Sequence, residues 1–248
     1  MNKKYYDLYI KVKNYDVNLC DEIVSYVGKL RFKGFSIPLV IDEKHQKISK
    51  KYWIFLERCK ECSDEKGIDF VSRLDIRYKS ISHIKKFLRK FRKRFEIISV
   101  LGINREVISF ASRDHRVDII TFYPFKTFRL LKGDIEYIKE QNKIIEFLLE
   151  FLRKCENVEK LAYRLMLYRY NIELLSRKKI SHIFSSGLYF EERSYSIQYI
   201  FDLYNLLGGR KDSLVKSMIE DLNNILEKNR KKLLGKIILP GVEILDED

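Results

Sequence analysis

The sequence predicts an α/β protein: a TIM-like (β/α) barrel of about seven parallel strands ringed by helices. Three observations predict it. Short apolar runs, bounded by charge, Gly or Pro, recur along the chain, and amphipathic stretches of helical period separate them. The runs are apolar throughout, as in parallel strands buried on both faces by helices. Seven such units in 248 residues favour a closed barrel over an open sheet.

In chain order, "YYDLYIKV" (5–12) reads as the first strand, and 16–30 as a helix with Val17, Ile23, Val24, Val27 and Leu30 on one side. "KGFSIPLV" (33–40) is the second strand, 45–63 a helix and "DFVSRLDI" (69–76) the third strand. Residues 80–94 place Ile81, Ile84, Leu88 and Phe91 inward, with Lys85, Lys86, Arg89, Lys90 and Lys93 outward. "FEIISVLG" (95–102), "DIITFYP" (118–124) and "SHIFSSG" (181–187) continue the strands, with helices at 104–114, 127–141, 157–178, 194–207 and 213–230. "IIEFLLEF" (144–151) is ambiguous, because its leucines and glutamates also suit a helix; the alternation around it argues for a strand. "LLGGRKDS" (206–213) reads as a helix C-cap and turn. With three prolines and no Ser/Gly-rich linker, residues 1–248 read as one domain with a short tail, "LPGVEILDED".

Lysine and arginine number 49 against 35 acids, a formal net charge of +14. That excess attracts polyanions, nucleic acid first and an anionic membrane surface second; a solvated basic surface with no partner is the plain alternative. The sequence shows no secretory apolar region and no twenty-residue apolar span, so a cytoplasmic protein without a membrane partner is expected. Cys20, Cys59, Cys62 and Cys155 are too few for a disulfide framework. Cys59 and Cys62 form a C-x-x-C without a second pair at zinc spacing, and read as a pair on a helix surface.

Enzyme motifs are missing. His45, His83, His115 and His182 fall in four separate segments, and there is no H-E-x-x-H, G-x-S-x-G, Walker A or G-x-G-x-x-G. Asp7, Asp75 and Asp118 lie on or beside strands and suit a hard metal only if they converge. Basic clusters are plentiful instead. "KSISHIKKFLRKFRKR" (79–94) carries eight Lys or Arg and no acid, and "EKNRKKLLGK" (227–236), "LRFK" and "SRKK" add more. Clusters of this kind bind phosphate backbones by releasing counterions, and arginine grips phosphate with two hydrogen bonds. In "INREVISFASRDHRVDIITFYP" (103–124), Arg105, Arg113 and Arg116 surround one βα unit, with Asn104 as N-cap and Arg105 in the first helical turn. In "SSGLYFEERS", Ser185, Ser186 and Gly187 close the seventh strand and Arg193 opens the next helix. Ser185 as a plain strand end, and Arg193 paired to Glu191 or Glu192, are the structural alternatives there.

These blocks, followed by a helix ending "LEKNRKKL" and a terminal "PGVEIL", resemble ribonuclease P protein component 3, the archaeal counterpart of a eukaryotic thirty-kilodalton-class subunit. The resemblance runs over roughly residues 95–245, with "DLYIKV" compatible with the family's first strand. It implies a barrel similar to the polymerase-and-histidinol-phosphatase (PHP) phosphoesterases. Their first-strand H-x-H metal motif is replaced here by Asp7-Leu8-Tyr9. It further implies a protein that stabilises the catalytic ribonuclease P RNA, which removes the 5′ leader from precursor tRNA. Mg²⁺ would sit in the RNA active site, no cofactor on the protein, and protein component 2 alongside. Carried over residue by residue, Arg105 matches the arginine of the family's "INR"-like segment, Arg193 the arginine after the S-S motif, and Arg169 a basic position in the preceding helix. The chain departs from the family's R-x-P-R-D pattern at "LYFEERSYS", and 127–160 matches poorly. The RNA-binding candidates are therefore Arg105, Arg193, Arg169, Arg113, Arg116, Lys85, Lys86, Arg89, Lys90, Ser185 and Ser186. The alternative is a metal-dependent phosphoesterase of the PHP superfamily.

Overall fold

A computed structural model describes residues 5–124, 130–192, 196–239 and 242–243. The elements in order are β1 (Tyr6–Asp7), α1 (Leu19–Lys29), β2 (Gly34–Phe35), β3 (Leu39–Asp42), α2 (Lys50–Glu65), β4 (Asp69–Phe70), β5 (Arg73–Arg77), α3 (Ile81–Phe91) and β6 (Ile97–Leu101). Then come α4 (Arg105–Arg113), β7 (Ile119–Thr121), α5 (Lys132–Glu140), β8 (Ile144–Leu148), α6 (Glu150–Arg153), α7 (Val158–Lys178) and β9 (His182–Ser185). The chain continues with α8 (Ile197–Leu206), α9 (Lys211–Lys216), α10 (Leu222–Leu233) and a hairpin of β10 (Ile237–Leu239) with β11 (Val242–Glu243). A π-helical turn, Ser217–Asp221, joins α9 to α10.

β1 through β9 form two parallel sheets, ordered β1-β2-β4 and β3-β5-β6-β7-β8-β9. Their chemistry explains why two expected strands each split in half. Pro38 separates β2 from β3, where its missing N–H interrupts a ladder. Between β4 and β5 the Ser72 N–H is diverted to the Glu96 carboxylate at 2.6 Å. Rejoined, β2 with β3 and β4 with β5 are single staves, so the ring has seven.

The first stave closes the ring. Ile10 N–H donates to Ser36 O (3.0 Å) on one side, while Lys11 N–H donates to Leu188 O and Gly187 N–H to Tyr9 O (both 2.8 Å) on the other. Gly187 sits at φ +65°, and a side chain there would press on Leu148 and Glu150. β8 is a strand across Ile144–Leu148, paired to both β7 and β9, and it turns into α6 only at Glu150. Pairing on both edges settles what the local pattern of leucine and glutamate left ambiguous.

The main core fills the barrel wall and its helices, with Leu74, Ile98, Ile120, Phe147 and Phe184 among its buried members. A second core lies between α1, α2 and the first halves of the early staves, around Val24, Phe35, Phe55 and Phe70. Cys59 and Cys62 belong to this second core together with Cys20, all fully buried. The C-x-x-C is therefore an inward pair, not a helix-surface pair; spacing of three puts both thiols on the apolar side of α2.

Helix α10 crosses the N-terminal end of the barrel. Asn229 donates to Glu96 O (2.8 Å) and Asp118 Oδ1 (2.9 Å). Arg230 reaches Asp69 Oδ1 (2.7 Å), Asp69 Oδ2 (3.0 Å) and Glu96 Oε1 (2.5 Å). Part of the basic "EKNRKKLLGK" cluster thus fastens a helix to the barrel floor instead of facing solvent.

Candidate nucleic-acid interface

Helix α3 buries Ile84, Phe87, Leu88 and Phe91 against the barrel. The same period leaves Lys85, Lys86, Arg89 and Lys90 exposed on the outer side, and among the described residues no ion pair neutralises any of them. Lys85 stands 5.6 Å from the Phe110 ring centre on α4, which holds its stem over an apolar surface while its charge faces water.

Between α3 and α4 lies an open cleft of about 740 Å³, lined by Lys85, Arg105, Arg113 and His115 with Glu106 and Asp114. Asn104 caps α4 as the sequence predicts, its side chain accepting from Val107 N–H at 2.8 Å. Arg105 in the first turn is 33% exposed and ion-paired to Asp134, a carboxylate buried at the start of α5. Arg113, one face further along α4, is exposed and stacks 5.4 Å from the Tyr137 ring centre. Arg116 is gripped by Asp114 through Nε (2.9 Å) and Nη2 (2.6 Å). Burial works to raise the Asp114 carboxyl, but the Arg116 hydrogen bonds outweigh it and hold the pKa below the usual carboxylate range.

The structure therefore brings Lys85, Arg105 and Arg113 to one cleft, with Lys86, Arg89 and Lys90 continuing the basic surface along α3. Arg169 lies elsewhere, on α7, in an exposed pair with Glu173 at 2.9 Å. Arg193 is outside the described residues. Ser185 and Ser186 are buried. Ser185 Oγ donates to Glu146 Oε1 at 2.7 Å and Ser186 Oγ to Tyr9 O at 2.9 Å, so neither hydroxyl faces a ligand outside the barrel.

Those serines lead to residues that sequence reasoning missed. Arg73, on β5, is wholly buried in the barrel interior. Its guanidinium grips Glu146 with two hydrogen bonds of 2.6 Å, donates to Asp75 Oδ1 at 2.7 Å and to Leu8 O at 3.0 Å. The Tyr9 ring lies 4.8 Å below it. Thr121 donates to Glu146 at 2.8 Å and shares a 2.7 Å hydrogen bond with Ser99. Burial pushes the Asp75 and Asp7 carboxyls up, although Arg73 opposes it at Asp75 and the Ser186 and Tyr9 N–H groups oppose it at Asp7. The signal was present: Arg73, Asp75 and Arg77 alternate along one stave, so a row of charged side chains shares one face of a strand that the fold buries.

This arrangement does not suit a metal. Asp75 and Glu146 already hold a guanidinium, and Asp7 accepts from Tyr9 N–H and Ser186 N–H at 3.1 and 3.0 Å. Asp118 lies at the opposite, N-terminal end, bound by Arg92, Ile98 N–H and Asn229. The three strand-associated aspartates do not converge.

Closed ring, polar interior and basic flank define a TIM-like α/β barrel with a row of exposed cations on the outer side of α3. The chain belongs to the family described as RNase P subunit p30, whose family pattern matches residues 4–233. Among solved structures, a chain from the cryo-EM structure of archaeal ribonuclease P with mature tRNA superposes with a TM-score of 0.78 at 18% identity, covering 97% of this chain and 99% of that one. Histidinol phosphate phosphatase from Lactococcus lactis, complexed with zinc, L-histidinol and phosphate, superposes with a TM-score of 0.58 at 8% identity, covering 84% and 95%. A search of curated proteins finds no match. Among the described residues, no helix is long and apolar enough to cross a membrane.

Proposed function

We propose that this chain binds and stabilises the RNA of a ribonuclease P through the outer face of α3 and the α3–α4 cleft. The carrying observation is that Lys85, Lys86, Arg89 and Lys90 are exposed and, among the described residues, in no ion pair, while Arg73 in the barrel interior is fully enclosed. On this reading the reaction, endonucleolytic removal of the precursor-tRNA 5′ leader, is carried by the RNA with Mg²⁺ in the RNA active site. The protein supplies positive charge where phosphates crowd, and holds no cofactor of its own. Protein component 2 is the expected protein partner, and the cytoplasm the expected compartment. The fold shared with a chain of the archaeal ribonuclease P–tRNA structure supports the reading.

Arg113 is the arginine of the cleft most open to phosphate, because its face is exposed and its cation rests on a ring. At Arg105 a phosphate competes with Asp134, so that side chain orders the α4–α5 junction as much as it attracts RNA. The test is reconstitution of precursor-tRNA cleavage with the triple variant Lys86→Ala, Arg89→Ala, Lys90→Ala. Apparent affinity for the RNA should fall, and the slope of log affinity against log salt should flatten by about two units, near 0.7 per lost phosphate contact. Cleavage and slope indistinguishable from wild type would refute this surface.

A further inference from the structure

We propose that Cys20 and Cys59 form a reversible disulfide that staples α1 to α2 when the protein meets a hydroperoxide. The two sulfurs lie 2.7 Å apart, and Cys20 also directs its thiol to Phe55 O at 3.6 Å. Unbonded carbons rest at about 3.5–4.0 Å and sulfur is larger, so the two thiols stand in direct contact with no atom between them. A disulfide needs sulfurs at about 2.05 Å, a closure of well under 1 Å. The pair bridges two helices, and both members are enclosed by the apolar second core.

The two thiols are not equivalent. Cys20 is the second residue of α1, and its sulfur faces α2. The Cys59 hydrogen bond and then the Arg58 charge hold the Cys20 thiol below its ordinary value, whereas that same hydrogen bond and burial push Cys59 up. Cys20 is therefore the thiol that ionises first and attacks, once it gives up the proton it shares with Phe55 O, and Cys59 is the resolving thiol. The Cys20 thiolate attacks one peroxide oxygen, the O–O bond breaks, hydroxide leaves, and a Cys20 sulfenic acid forms. Cys59 sulfur then attacks the Cys20 sulfur, the S–O bond breaks, and that oxygen leaves as water with the Cys59 proton. Two thiols lose two electrons and the peroxide gains them. A small hydroperoxide suits the site because Cys20 and Cys59 are reached only through transient opening of the second core. Cytosolic thiol reductants restore the dithiol once the challenge ends.

The experiment uses the full chain, treated with hydrogen peroxide, quenched with catalase, denatured and labelled with N-ethylmaleimide. Before oxidation all four cysteines should take label, since all are free. After it two should, with peptide mapping showing a Cys20–Cys59 bridge that dithiothreitol removes. The melting midpoint of the oxidised protein should rise by about 5–10 °C, as a bridge between residues 39 apart restrains the unfolded chain. The variant Cys59→Ala should form no bridge and show no rise, with Cys20 trapped instead as a sulfenic acid that dimedone labels. Four labelled cysteines after oxidation, a bridge through Cys62 or Cys155, or sulfinic acid in place of a bridge would each overturn the proposal. None of these readouts depends on RNA binding, so they stand apart from the assignment to ribonuclease P.

Discussion

Two arginine-bearing regions of this barrel differ in every respect that decides what a cation does. Arg73 is enclosed and holds two carboxylates, and its hydrogen bonds keep it from being an uncompensated charge in a medium of low dielectric. Arg89, on the next helix, α3, faces water beside three lysines. The interior charge is strongly coupled to its partners and remote from any outside ligand. The exterior charge is weakly coupled, screened by salt and ready to exchange its counterions for phosphates. Charge in the first place specifies a structure; charge in the second is open to a partner.

The largest effect should come from the interior. Glu146→Gln leaves Arg73 with Asp75 as its only carboxylate among the ion pairs described, and should cost about 3–5 kcal/mol in urea unfolding. The salt slope of RNA binding by the remaining folded protein should stay as in wild type. A loss below about 1 kcal/mol would show that water enters the barrel and solvates the pair. An intermediate effect is expected at the barrel floor. Arg230→Ala removes hydrogen bonds to Asp69 and Glu96, groups partly open to solvent, and should cost about 1–3 kcal/mol by the same measurement. The exterior should show the reverse signature of the interior: the α3 triple alanine variant should unfold within about 0.5 kcal/mol of wild type while losing RNA affinity.

The smallest effect concerns pH. His182 is buried, its Nδ1 near Ile180 O and its Nε2 near the Tyr204 hydroxyl, both at 2.7 Å. Burial lowers its pKa from 6.5. The unfolded chain therefore takes up the proton more readily, so this contribution to stability is whole above about pH 6.5 and is lost as pH falls below it. The slope should not exceed about 1.4 kcal/mol per pH unit. Melting curves between pH 7.5 and 5.5 should show the decline in wild type and a flatter profile in His182→Gln. Equal profiles would mean that the imidazole is reached by solvent in the fold.

The ring of strands and the amphipathic helices were legible because burial imposes a period on each stave and helix. The outward row of α3 was legible for the same reason. What sequence could not show was which cations find carboxylates across the fold. Arg105 meets Asp134 from a different helix, and Arg230 meets Asp69 from the far end of the chain. Ser185 and Ser186 looked like phosphate ligands because they close a strand beside a glycine. The barrel turns both inward, since the first stave supplies backbone acceptors and Glu146 a carboxylate. The splitting of two staves was also hidden: Pro38 marked one break, but the other depends on Glu96 reaching back to Ser72.

The seam where Tyr9 and Lys11 meet residues 187–190 has a consequence for biosynthesis. One edge of the opening strand stays without its neighbour until the polypeptide has emerged past that segment, because Ser186 and Asp7 are 179 positions apart. Contacts this distant in sequence form slowly, and the nascent molecule exposes an unmatched sheet border while it waits. Ribosome-bound intermediates lacking the seam are therefore where chaperones would be needed most.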